Sequence, residues 1–175
     1  MPTVRFQLRR DTAANWASVN PVLGDGEPAI ETDTRRKKYG DGVTAWTSLP
    51  YDSPVISSGT YVPTLTGVSN VGSVSVAGAR YSRIGDQVTV SGRITVTPTA
   101  ANTRTDVNIS LPIASNFGGG ADCGGSAAAI SGSPPVVAAG LIFSDAAADQ
   151  ARLAFIAPNN SVQTVTFTFQ YSLLP

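Results

Sequence analysis

The chain has no histidine, one cysteine and one methionine among its 175 residues, and only 14 % of it is charged. Without histidine it lacks the commonest general base and the commonest metal ligand. A lone cysteine cannot form an intrachain disulfide. Cys123 sits in "GGGADCGGSAAA" with no neighbouring base to lower its pKa, which marks a small packed or loop residue and not a nucleophile. Long apolar runs are missing as well. None approaches the roughly eighteen residues of a membrane span, and the N-terminus has no apolar signal core. This pattern predicts a protein made and folded in a cytoplasm, with no membrane insertion. Net charge is zero, so there is no bulk basic excess of the kind a nucleic-acid partner requires, and none is expected. The carboxylates are scattered, and no set converges at ligand spacing. No metal, cofactor or catalytic residue is assigned.

What charge there is lies unevenly. Seven of the twelve basic and seven of the twelve acidic residues fall at or before Asp52, and the rest of the chain is rich in Thr, Ser, Val, Ala and Gly. The asymmetry divides the chain into a module over 1–52, a linker over 53–60 and a domain over 61–175. In the first, "TVRFQLRR" alternates Val4, Phe6 and Leu8 against Arg5, Gln7 and Arg9, the period of a half-buried strand. "DTAANWASVN" offers Asp11 or Thr12 as an N-cap and stops at Asn20-Pro21, with Trp16 and Val19 covering one side of two helical turns. "AIETDT" and "RRKKY" read as the arms of a hairpin. Asp41-Gly42 in "KKYGDGVTAW" reads as a second, two-residue hairpin tip, since such loops need the positive φ that Gly and Asp tolerate. The turn outweighs a phosphate-cradling loop there, because no Gly-Lys-Ser/Thr follows and Pro50 blocks the helix such a loop would need.

Beyond Ser57 the text is β-rich and punctuated by turns. Val88, Val90, Ile94 and Val96 share a face, with Gly92 in phase and marking a bulge or a close backbone approach. Val107, Ile109 and Leu111 share another, as do Val165, Phe167, Phe169, Tyr171 and Leu173. Shorter candidate strands are 61–66, 79–84, 136–143 and 152–156. The fold class is therefore mainly β: a small N-terminal hairpin module with one short helix, then an antiparallel sandwich or jelly-roll-like domain. "FGGGADCGGSAAA" and "SGSPP" are either loops or segments packed where backbones approach.

With both segments laid out, residues 6–51 become recognisable. Leu8-Arg9-Arg10, the Trp16 helix, Asn20-Pro21-Val22-Leu23, Gly26-Glu27, Glu31-Thr32-Asp33-Thr34, and Gly40-Asp41-Gly42 followed by Trp46 and Leu49-Pro50 resemble the N-terminal module of bacteriophage fibre and receptor-binding proteins, among them the major tropism determinant family. "GTYVPTLTGVSNV" and "ARYSRIGDQVTVSGRITV" resemble, more loosely, C-terminal β-domains of phage tail and head fibres. The resemblance implies a homotrimeric virion component, made in the host cytoplasm, whose first module fixes it to capsid, baseplate or tail proteins. The chain shows no long shaft and no second large domain. That favours a short fibre, head fibre or capsid decoration protein over a depolymerase. The alternative is an adhesin that recognises a host surface glycan or protein through C-terminal loops.

For anchoring and the subunit interface the candidates are Phe6, Leu8, Arg9, Arg10, Trp16 and Leu23, with the basic run Arg35, Arg36, Lys37 and Lys38, and with Trp46 and Tyr51. Trp16, Trp46 and Tyr51 could also stack on sugar rings, against a reading as core or subunit seam. Glu27, Glu31, Asp33 and Asp41 could supply the carboxylate pair of a glycoside hydrolase, against a reading as solvated partners of the neighbouring basic run. For outward recognition the candidates are the loops around 116–126 and 158–161, with Asn116, Phe117, Asn159 and Asn160. Few large side chains and many small ones predict that each subunit is under-buried alone and completes its core against identical copies.

Overall fold

The computed structural model describes residues 7–131 and 135–173. Val4, Phe6 and Pro175, and most of "SGSPP", lie outside them. The chain divides into two compact units, Met1–Pro54 and Val55–Pro175.

In the first unit, β1 (Arg9–Asp11) pairs in parallel with β2 (Pro28–Glu31), which pairs antiparallel with β3 (Lys37–Tyr39) through the expected turn at Asp33-Thr34. Helix α1 (Ala13–Val19) starts where the Thr12 hydroxyl accepts the Asn15 N–H at 3.2 Å. It ends on Asn20 in the left-handed region, φ 46°, just ahead of Pro21. Trp16 faces inward, but Val19 is exposed, because the helix lies on its neighbours along a single line and not across a broad face. The core consists of Trp16, Leu23, Ala29, Trp46 and Leu49. The two indoles stack at 4.3 Å with 18° between their planes, and Trp16 Nε1 donates to the Ile30 carbonyl at 3.1 Å. The expectation that this unit must borrow its core is corrected: five side chains close it internally.

Gly40-Asp41-Gly42 is not a hairpin tip. Beyond β3 the chain keeps pairing with the 24–27 segment, Gly26 N–H donating to Gly40 O and Gly40 N–H to Glu27 O. The Asp41 carboxylate then accepts the Val43 and Thr44 N–H groups at 3.0 and 2.7 Å, turning the chain into a 3₁₀ turn at Trp46–Ser48. Gly40 is required because a Cβ there would lie 2.2 Å from Gly24 O.

The second unit is one nine-stranded antiparallel sheet. Its strands are β4 (Ile56–Tyr61), β5 (Leu65–Ser69), β6 (Val71–Ile84), β7 (Gln87–Pro98), β8 (Thr103–Ile109), β9 (Cys123–Ser131), β10 (Val136–Asp145), β11 (Gln150–Ala157) and β12 (Gln163–Ser172), in the order β4-β6-β7-β12-β9-β10-β11-β8-β5. The segment expected to link the units is thus largely strand β4. The outermost strands, β4 and β5, are joined by Val62–Thr64 alone, three residues whose extended reach is only about 10 Å. The sheet must therefore curl until its two edges meet. Tyr61 Oη on one edge donates to Ser110 O beside the other at 3.2 Å.

Inside the curl, the alternating faces meet as expected. Val88, Val90, Ile94 and Val96 from β7, Val107 and Ile109 from β8, Leu153 and Phe155 from β11, and Val165, Phe167, Phe169 and Tyr171 from β12 form one buried cluster. Each such side chain contributes on the order of 1.5–3 kcal/mol by leaving water. β12 lies in the middle, between β7 and β9. Strand β9 carries much of the small-residue run, and it is packed backbone, not a loop. A Cβ on Gly125 would lie 2.3 Å from Thr168 O and 2.6 Å from Phe169 Cα. Gly92 likewise leaves room for the Phe167 ring, which a Cβ would meet at 2.6 Å. The register slip falls on the partner strand, between Val76 and Gly78 of β6.

Candidate functional site

Most of the ionisable side chains singled out in the first unit turn out to build it. Lys38 is 3 % exposed. Its ammonium donates to Trp46 O at 2.7 Å and lies 4.9 Å from the Trp46 ring and 4.3 Å from the Tyr51 ring. Glu31 is 1 % exposed, accepting the Tyr51 hydroxyl at 2.7 Å and the Thr34 hydroxyl. Burial lowers the Lys38 pKa, and the Glu31 charge opposes that shift. The Tyr51 pKa is raised by burial and by its bond to Glu31. Arg36 stacks over the Tyr51 ring at 3.1 Å. Of the carboxylates read as solvated partners of the basic run, Glu31 is the exception, being interior. Asp33 and Asp41 are exposed, and their oxygens accept backbone N–H groups, Ala13 for Asp33 and Val43 and Thr44 for Asp41. Glu27 accepts Gly24 N–H and pairs with Arg9.

These contacts redistribute the anchoring candidates. Trp16, Leu23, Trp46 and Lys38 are buried within their own unit, so neither a sugar-stacking platform nor an outer docking face can use them. Leu8, Arg36 and Tyr51 are half-buried, and Arg9 covers Trp16 while reaching Glu27. Arg10, Arg35 and Lys37 are exposed. Among the loop candidates, Phe117 is buried: its ring meets Tyr171 edge-on at 5.8 Å and its N–H donates to Asp149. A loop position predicted solvent for it, but the neighbouring core strand supplies an apolar socket. Asn159 bonds Ser131 and Gln163, while Asn116 and Asn160 are exposed.

The second unit carries a feature that was not predicted, an open groove of about 830 Å³ across β4, β6, β7 and β12. The register places Thr60, Arg80, Ser91 and Thr168 in one row over the four strands, and Arg93 beside Thr166 in the next. All six side chains are on the outer, exposed face, because Ala79 and Phe167 in the intervening positions point into the core. Arg83, Arg104 and Arg152 are paired with Asp86, Asp106 and Asp145, whereas Arg80 and Arg93 take part in no ion pair or hydrogen bond among the described residues. No acidic residue lines the groove. A second surface, on β9, β10 and β11, is apolar: Ile130 opposite Val137, Ala128 opposite Ala139, and Leu141 opposite Ala154, with Leu141 69 % exposed.

Among the described residues no group of three or more acidic or cysteine side chains is placed to hold a metal ion, and no helix is long and apolar enough to cross a membrane. Cys123 is buried, and burial pushes its thiol up to about 12.

Residues 6–44 match the major tropism determinant N-terminal domain family. The match covers β1 to β3 and the Asp41 turn, and takes in all of the 6–51 stretch on which the sequence resemblance was read except its end at Trp46 and Leu49-Pro50. The chain is also 40 % identical over 48 residues to a hyaluronoglucosaminidase of Streptococcus pyogenes phage H4489A, a span that is 27 % of this chain and 13 % of that enzyme. No solved structure matches the chain. Both similarities are to phage-type proteins, and both cover only a minor part of this chain.

Proposed function

We propose that this chain is a non-enzymatic, fibre-type component of a bacteriophage particle, whose N-terminal unit fixes it to the virion and whose β unit faces outward. The match of residues 6–44 to the tropism-determinant domain carries this reading. The exposed cations Arg10, Arg35 and Lys37 are the side chains free to dock on a virion neighbour. Short-fibre, head-fibre and decoration roles share this design. The structural roles of the carboxylates speak against glycan cleavage. In the second unit Asp106 is held by Arg104, Asp145 by Arg152 and Asn108, Asp149 by Phe117 N–H, and Asp122 by Gly118 and Gly119 N–H. A glycosidase needs two carboxyls facing one cleft.

The chain assembles as a homotrimer in this proposal, and the support has moved from the core to the surface. Both units bury their own cores, but the contiguous apolar face of β9–β11 is of the kind that marks a protein contact. Immunogold imaging of purified virions tests the particle assignment and separates head from tail. Light scattering tests the trimer, and Leu141→Glu should reduce its mass. Virions that never label, or a monodisperse monomer, would count against the respective part. The adhesin alternative is favoured by the arginine-lined groove, which a purely architectural protein has no use for.

A further inference from the structure

We infer that the groove over β4, β6, β7 and β12 is a binding site for an acidic saccharide, with Arg80 and Arg93 as its anion-binding residues. Arg80 lies opposite Ser91, and Arg93 is two residues further along the same face of β7, so the two guanidinium stems are diagonal neighbours on adjacent strands. Like charges so placed repel one another, and among the described residues no carboxylate relieves them. Every other arginine of this unit has its own aspartate. A bound anion is what the pair lacks. Arginine's planar fork suits a carboxylate, sulfate or phosphate held by two parallel hydrogen bonds.

The rest of the lining defines what carries the anion. Thr60, Ser91 and Thr168 share the Arg80 row, and none of their hydroxyls is used in a hydrogen bond among the described residues. Four strands at their usual spacing make that row about 14 Å long, enough for a short oligosaccharide. Beside Arg93, Gly78 contributes no side chain. Its φ is 122°, at the bulge, and a Cβ there would meet nothing within 4 Å, so the space beside Arg93 is open. A ligand with hydroxyls and one acidic group per sugar or two matches this alternation of hydroxyl and guanidinium. Single-stranded nucleic acid does not, because the aromatic side chains nearby, Tyr61 and Phe167, pack on the inner face and leave no base-stacking platform.

The inference rests on the adhesin reading only for its biological setting, and its test needs no virion. The purified full-length chain is titrated at physiological ionic strength against heparin, polygalacturonate, dextran and polyglutamate. Binding is expected to heparin or polygalacturonate and not to neutral dextran, the two arms separating sulfate from carboxylate preference. Arg80→Gln/Arg93→Gln should weaken it about tenfold or more, while Arg35→Gln/Lys37→Gln, which removes the same charge from the first unit, should change it less than about twofold. Both are surface variants, and unchanged thermal unfolding confirms that they fold. No binding to either acidic polysaccharide, equal weakening by the two double variants, or equal affinity for polyglutamate would each overturn the assignment. So would loss of oligomeric mass in the Arg80/Arg93 variant, which would make the groove a subunit contact. A silent groove on a labelled virion defeats this inference alone, and a binding groove on a chain absent from virions defeats the particle reading alone.

Discussion

Replacing Lys38 with Met removes a buried cation while keeping most of its volume. In the wild type the ammonium satisfies Trp46 O, faces the Trp46 and Tyr51 rings, and balances Glu31 in an interior that is 3 % exposed or less at both charges. Methionine keeps the apolar contact but leaves the Trp46 carbonyl without its donor and removes the cation whose charge acts across the interior on Glu31. Lys38 and Glu31 do not touch, since Glu31 is held by the Tyr51 and Thr34 hydroxyls. The orphaned acceptor therefore sets the scale, at about 1–3 kcal/mol. A unit of this length has only about 3–8 kcal/mol in total, so the variant's first unit should lose a large share of its stability. The assay is selective by accident of composition, since both tryptophans of the chain, Trp16 and Trp46, lie in this unit. Urea unfolding followed by indole fluorescence therefore reports it alone, and far-UV circular dichroism follows the sheet of the second unit. Lys38→Met should move the first transition and leave the second in place. Adding Glu31→Gln should restore part of the loss, because the unpaired charge is then gone. A Lys38→Met shift below about 1 kcal/mol, or a double variant worse than the sum of both, would refute the argument from the buried cation.

Other expectations concern single positions. Gly125→Ala should destabilise the second unit by about 1–3 kcal/mol, since its Cβ meets the Thr168 carbonyl and Phe169 backbone head-on, and should leave the indole transition unmoved. Cys123, buried and with its thiol pushed up to about 12, should resist thiol reagents in the native protein at pH 8 and react on unfolding; rapid native labelling would contradict its placement. The hydroxyl and backbone donors of Thr44 and the Val43 N–H hold Asp41 down from an ordinary 3.8 to about 2. A lowered folded-state pKa stabilises above the unfolded value and loses that stabilisation as pH falls through the folded one. Acid should therefore weaken the first unit between about pH 4 and 2, and Asp41→Ala should flatten that part of the curve.

How far the sequence was legible depended on where the deciding information lay. β7, β8 and β12 were readable because each alternates large apolar and polar residues along its own length. β9 was not, because its inward positions are Gly125, Ala127 and Ala129, small only to complement Phe167 and Phe169 on the neighbouring strand. Lys38 and Glu31 looked solvated by residue type, and only tertiary pairing with Tyr51 and Trp46 reverses that. Gly40-Asp41-Gly42 has hairpin composition, yet the carboxylate binding Val43 and Thr44 N–H makes a side-chain-capped turn of it. Arg80 and Arg93, thirteen residues apart, look like scattered charge until the β6–β7 register sets them side by side.

The tie at Val62–Thr64 constrains how this protein meets its own kind. A curled sheet whose first and last strands are stitched together by three residues, with Pro63 among them, keeps its two edge strands, each with a single ladder partner, tied at one end, which restricts how a like chain could template linear growth there. Where many copies stand close together, that restriction favours contact through side chains on the outer faces. Those surfaces can diversify without loosening the stitched frame beneath.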